Sequence, residues 1–139
     1  MNPARVSEPQ AAALRWMDGL LRGCGIPYQM TGDVADVAHG AARPVRDIEL
    51  FIAGEHVPAL LRAAREHVVD YPWRRLDDHW DLVALVLEHG GVRFDVRIAE
   101  AARYRDTPTG AWREAGVDLA ASVTLPVGEV DLPVMPRER

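Results

Sequence analysis

The sequence contains no lysine: all sixteen of its Lys-plus-Arg positions are arginine. That excludes Schiff-base chemistry, a lysine general base and a Walker-type phosphate lysine. Any contact to phosphate has to come from Arg, from backbone N–H groups or from a metal ion. Genomic base composition is the plainest source of the bias. Cysteine is nearly as scarce. Cys24 stands alone, so an intramolecular disulfide and a Cys-rich zinc centre are both ruled out, and with no His or Lys beside it Cys24 is assigned no chemistry. No apolar run approaches the roughly 18 residues needed to span a bilayer. The polar start, through Gln10, is unlike a secretory signal. A soluble, cytoplasmic protein with no membrane partner is expected. The net charge of −5 argues against nonspecific binding to a nucleic-acid backbone, while leaving room for a local basic patch.

What is present is ordinary globular material, 48% hydrophobic and 27% charged over 139 residues. One domain covering residues 1–139 is expected, with its core at about 10–100 and a C-terminal extension over 101–139. Ser7 is a plausible N-cap, with Glu8 and Pro9 suited to a first helical turn. Ala13, Leu14, Met17, Leu20 and Leu21 then recur at helical spacing until Gly23 and Gly25 end the pattern. Residues 26–31 read as a strand broken by Gly32. Asp33 is placed to cap a brief second helix up to His39. The clearest strand is Asp47 to Ile52, followed by a helical pattern from His56 to His67. Residues 73–79 read as a polar loop, 82–87 and 92–98 as two strands joined by a tight turn at Gly90-Gly91, and 99–105 as a short helix. The tail alternates apolar and polar residues over 123–127 and 130–134. The order implies an α/β (α+β) domain with a small mixed sheet flanked by helices.

Asp47 and Glu49 lie one residue apart on a strand, so both side chains leave the same face while Ile48, Leu50 and Ile52 leave the other. Held that close, two carboxylates repel by roughly 1–4 kcal/mol at intermediate dielectric, a sign that a divalent cation reverses. Mg²⁺ favours oxygen ligands of this kind. Asp95 repeats the arrangement: Phe94, Val96 and Ile98 share one face, Arg93, Asp95 and Arg97 the other. If the two strands are neighbours, three acids make a site for one or two metal ions, with Asp95 near enough to help activate an attacking hydroxyl. On the strand pattern alone a plainer alternative stands beside it, a solvated sheet face on which Arg93 and Arg97 pair with the acids.

Taken together, Met30-Thr31-Gly32-Asp33, then Asp47-Ile48-Glu49-Leu50, then Phe94-Asp95-Val96 resemble the signature of the DNA polymerase β-like nucleotidyltransferase superfamily. More narrowly, the run from His39 to Leu50 is similar to minimal bacterial nucleotidyltransferases, which often carry an Arg four positions before the first Asp, as Arg43 does here. The likeness covers about residues 10–100. It implies that Asp47 and Glu49 hold Mg²⁺ (or Mn²⁺) on a triphosphate, with Asp95 as third ligand or general base. Thr31, Gly32 and Asp33 would lie at the phosphate-binding turn, and Arg43 or Arg46 would neutralise phosphate oxygens. The implied reaction moves a nucleoside monophosphate from an NTP, ATP first among candidates, to an unknown acceptor.

Two departures point to an alternative. Asp33 stands where the superfamily usually has Ser or Gly, and the sequence ends soon after the tail strands, where relatives commonly continue into helices. That surface is then either absent or supplied by a second copy in a homodimer or by a protein partner. The alternative is a catalytically degenerate domain that binds a nucleotide or a protein, for instance within a toxin–antitoxin pair. Among other residues, the five scattered histidines read as structural or solvent-exposed, with His39 or His79 as candidates to line a cleft; Trp73 and Trp80 are candidates to stack on a base, with packing under a loop as the plainer role of both indoles.

Overall fold

The first helix, α1 (Glu8–Gly23), starts where its cap chemistry dictates. Ser7 Oγ accepts from the Gln10 backbone N–H at 3.2 Å, and the Gln10 side chain accepts from the Ser7 N–H at 2.9 Å, a reciprocal capping box. Its apolar stripe buries Ala13, Leu14, Met17 and Leu21, with Leu20 only partly buried. The computed structural model describes residues 5–137; the very start of the polar N-terminus and the last two residues of the tail lie outside the described residues.

Among the described residues nine strands join in one mixed sheet. They are β1 (Tyr28–Thr31), β2 (Ile48–Ile52), β3 (Val68–Leu76), β4 (Trp80–His89), β5 (Val92–Ile98), β6 (Arg103–Arg105), β7 (Trp112–Glu114), β8 (Val123–Val127) and β9 (Val130–Val134). The order across the sheet is β7-β6-β4-β5-β2-β1-β9-β8, with β3 paired to β4. β2 and β5 run parallel, as do β1 and β9; the other pairs are antiparallel. Two short helices, α2 (Gly32–Ala38) and α3 (Val57–Ala63), complete the fold. The expected α/β class with a helix-flanked mixed sheet is what the chain adopts. No helix among the described residues is long and apolar enough to cross a membrane.

The sheet separates two apolar clusters. The larger packs Leu14, Met17 and Leu21 of α1, Val34 of α2 and Leu60 of α3 against Ile48, Leu50, Ile52, Phe94, Val96, Leu85 and Leu87. The smaller holds Phe51, Leu82, Ala84 and Ala102 on the opposite face, with Trp80 packed against it. Period-2 alternation along β2, β4 and β5 produces both.

Three expectations need correction. Residues 73–76 belong to β3 and pair with β4, through two register irregularities between Val68 and Trp73. Pro72 falls in the second of these, where its missing N–H is tolerated, and the polar composition masked the strand. Residues 99–105 form no helix: Ala101 takes a left-handed φ of 63°, and the chain turns there into β6. Asp33 does not cap α2; Thr31 occupies that position. The turn at Gly90-Gly91 is as expected, with φ of 58° and 78°, the left-handed pair a two-residue hairpin of this type requires.

Candidate active site

The register of the sheet fixes where the acids stand. Thr31 pairs with Glu49 across β1 and β2, and Glu49 pairs with Asp95 across β2 and β5. All three therefore share one row and one face. Gly32 follows Thr31 at a φ of +63°, and a Cβ there would come within 2.0 Å of Glu49 Oε1. Only glycine supplies that conformation and that clearance without strain, so the turn into α2 sits directly against the Glu49 carboxylate.

The loop that delivers Asp47 is held from two sides. Buried Val45 donates its N–H to the Arg5 carbonyl at 2.8 Å and accepts from Gln10 Nε2 at 2.9 Å. Asp33 Oδ2 accepts from the backbone N–H groups of Arg46 and Asp47, at 2.9 and 3.1 Å. Burial alone would raise the Asp33 pKa; those two N–H donors, with the charges of Arg43 and Arg46, outweigh it and hold the carboxyl below its ordinary value. Asp33 thus turns away from the strand row and clips the loop in front of β2. Asp47 itself is exposed just before β2.

Arginines engage the other two acids. Arg97 donates through Nη2 to Glu49 Oε2 and through Nε to Asp95 Oδ2, both at 2.9 Å. Arg75 forms an ion pair with Asp95 Oδ1. The Arg97 side chain is only 12% exposed, and its guanidinium lies 5.2 Å from the centre of the Trp80 ring. Burial still raises the Glu49 pKa: Arg97 pulls it down, but burial with Asp95, Asp47 and Asp33 prevails.

Oxygen donors of this type suit Mg²⁺, but their arrangement does not. Among the described residues no group of three His, Cys, Asp or Glu side chains is placed to hold a metal ion. Both Asp95 oxygens and one Glu49 oxygen are bound to guanidinium groups, and a divalent ion on the same oxygens would face those positive charges at close range. Glu49 and Asp95 meet in one sheet row, and they meet around an arginine, as in the plainer alternative of a charged sheet face.

Beside this row opens a cavity of about 860 Å³, lined by Thr31, Gly32, His39 and Arg43 on one side and by Phe51, Trp80 and Tyr104 on another. Asp47, Glu49 and Asp95 are not among its lining residues, and neither are Asp33, Arg46 and His79. Arg43 forms ion pairs with Asp33 at 3.8 Å and with Asp36. His39 Nε2 lies 2.9 Å from the Met135 carbonyl, which is satisfied by the Nε2–H tautomer. Tyr104, Phe51 and the segment 115–118 had no motif to mark them. Trp80 was visible as a candidate, whereas Arg75 was hidden in a stretch that read as loop. Trp73, 56% exposed, lies outside the cavity lining.

No family profile and no curated protein sequence matches the chain. Solved structures do. A Thermotoga maritima protein, provisionally named a nucleotidyltransferase, superposes with a TM-score of 0.75 at 18% identity, over 94% of this chain and 79% of that one. The antibiotic-resistance factor ANT(2'')-Ia gives 0.58 at 15% identity, covering 90% of this chain and 64% of its own length. The lincosamide antibiotic adenylyltransferase LnuA, solved with lincomycin bound, gives 0.53 at 15% identity over 95% and 82%. At such identities the likeness is one of fold: the chain has the nucleotidyltransferase fold.

Proposed function

We propose that the protein, as a single unit over residues 1–139, binds a nucleoside triphosphate and transfers its nucleoside monophosphate to an acceptor hydroxyl or phosphate. One observation carries this reading: Glu49 and Asp95 stand side by side in one sheet row, against a glycine turn that opens onto a nucleotide-sized cavity. In this proposal the base lies toward Trp80 and Tyr104, whose rings offer stacking, over the buried Phe51. Thr31 and Gly32 border the phosphates and Arg43 neutralises them; Arg46, exposed in the same loop, is a secondary candidate. Asp47, Glu49 and Asp95 are the proposed acidic residues. ATP is the first nucleotide to test, and a cytoplasmic setting fits such a substrate. The names of the neighbours, an adenylyltransferase among them, support nucleotidyl transfer in general, with a second copy or another protein as a possible source of acceptor contacts.

The divalent ion, Mg²⁺ or Mn²⁺, belongs to this proposal as a condition, because the acids as arranged do not fit it. What the chain's own residues do is position: Asp33 fixes the backbone that presents Asp47, Gly32 lets the turn close on Glu49, and the cavity walls orient the nucleotide, the main way an in-line displacement gains from a protein.

A second reading is favoured by the Arg97 contacts. With Glu49 and Asp95 already neutralised, the domain would bind a nucleotide, or a protein partner in a toxin–antitoxin pair, without turning it over. Incubation with α-labelled and γ-labelled ATP and a panel of acceptors decides between them. Label transferred from the α position, with loss of transfer in Asp47→Asn, supports the enzyme. Saturable nucleotide binding with no transfer and no pyrophosphate release supports the binding module. Absence of nucleotide binding removes the enzyme and the nucleotide-binding module, and leaves only the protein-binding form of the second reading.

A further inference from the structure

The arginine at the centre of the acidic row has no counterpart in a bare carboxylate site. We infer that Arg97 is the resident counter-cation of this site: it holds the position a divalent ion would take, so that metal binds weakly until Arg97 withdraws. This rests on the functional reading above, to which it adds the control of metal entry.

Arg97 spans the two strands, with Nη2 on Glu49 Oε2 and Nε on Asp95 Oδ2. A guanidinium forks its donors in one plane, and here the two tines reach two different carboxylates. It thereby satisfies in one group the repulsion between Glu49 and Asp95 that the strand register imposes. Arg75 takes the remaining Asp95 oxygen. Two negative and two positive side chains cancel, and Asp47, exposed at the rim, is the one acid of the trio left outside the network. An incoming ion with two positive charges would gain one carboxylate and meet two guanidiniums. Trp80 closes over the Arg97 guanidinium, so the arginine is gripped by two acids and an aromatic face.

Arg75 and Arg97 differ in how firmly they are held. The Arg75 side chain is 27% exposed and touches one acid; Arg97 is 12% exposed and touches two. Arg97 is therefore the dominant block and Arg75 the lesser one.

Titration of Mn²⁺ into the full chain, read by the paramagnetic resonance signal of the free ion, tests this. Arg97→Ala should bind Mn²⁺ tighter than the wild type by roughly tenfold or more, as expected when a unit positive charge leaves the contact shell. Arg75→Ala should fall between the two, and Arg97→Lys should stay close to the wild type because it keeps the charge. Adding Asp95→Asn to Arg97→Ala should abolish the gain. Circular dichroism checks folding of each variant, and if Arg97→Ala does not fold, Arg75→Ala against the wild type decides alone. Equal and tight binding by wild type and variants overturns the inference while leaving the functional reading intact. No binding by any folded variant overturns the inference and also removes the metal from that reading.

Discussion

The two faces of β2 and β5 are made by the same backbone and obey different rules. On one face Ile48, Leu50, Ile52, Phe94 and Val96 are at most 2% exposed and pack under α1, α2 and α3. On the other, Glu49, Asp95 and Arg97 meet charge to charge, with Phe51 tucked beside them. The apolar face sets the register, since a slip of one residue would turn every core side chain outward. The charged face inherits that register: once Ile48 lies beside Phe94 and Leu50 beside Val96, Glu49 must lie beside Asp95. Close packing leaves the first face one arrangement, whereas ion pairs on the second can be exchanged for others of similar energy. The core builds the site, and the charges define its state.

The largest effect should therefore come from the face that chemistry does not use. Phe94→Ala removes a fully buried ring and should cost about 3–5 kcal/mol of stability, read as a lower urea midpoint. Asp95→Asn, one residue away, removes the shared partner of Arg75 and Arg97 and should cost about 1–2 kcal/mol, with its main consequence on ligand binding. If the two substitutions destabilised equally, the charged face would be as structural as the core and the contrast would fall.

Next in size is Gly32→Ala, which acts at the seam between the faces. An alanine at a φ of +63° carries a penalty of about 1–2 kcal/mol, and its methyl would displace Glu49 from Arg97. A drop in stability together with weakened nucleotide binding is expected. Binding unchanged at reduced stability would show that Glu49 and the turn are not coupled.

Much of this was legible beforehand, for definite reasons. The stripe of α1, the alternation of β2 and β5 and the glycine pair before β5 follow from periodicity and turn chemistry, which act over short sequence distances. The adjacency of Glu49 and Asp95, 46 positions apart in number, was legible only through resemblance to a known signature. The arginine between them was visible as an alternating charge, but nothing local says whether Arg97 faces an acid or water. Arg75 was missed because β3 is irregular: bulges break the alternation that would have marked it. Asp33 was misread as a cap because its partners, the N–H groups of Arg46 and Asp47, belong to a loop that returns only in three dimensions. That correction is testable. Asp33→Ala should cost about 1–2 kcal/mol, and hydrogen exchange at the Arg46 and Asp47 amides should accelerate while the β2 amides stay protected.

The smallest effect separates two carboxylates that both sit among arginines. Asp81 is bound by Arg74, at 2.8 and 2.9 Å, and by Arg103, and the arginine hydrogen bonds hold it well below the usual carboxylate range. Glu49 has Arg97, yet burial raises it. The signs of their pH dependence are opposite. The depressed Asp81 contributes stability that is present above the ordinary Asp pKa and is lost as pH falls through its lower folded value. Glu49, with a raised folded pKa, contributes stability that is present below the ordinary Glu pKa and is lost as pH rises through its folded value. Urea midpoints of the wild type, Asp81→Asn and Glu49→Gln should be compared from neutral pH down through the carboxylate range. The deficit of Asp81→Asn against the wild type should shrink on acidification, whereas Glu49→Gln should lose ground to the wild type as Glu49 protonates. A Glu49→Gln difference that moved in the same direction as that of Asp81→Asn would mean that Arg97 outweighs burial at Glu49, and that the charged face is as settled as the apolar one behind it.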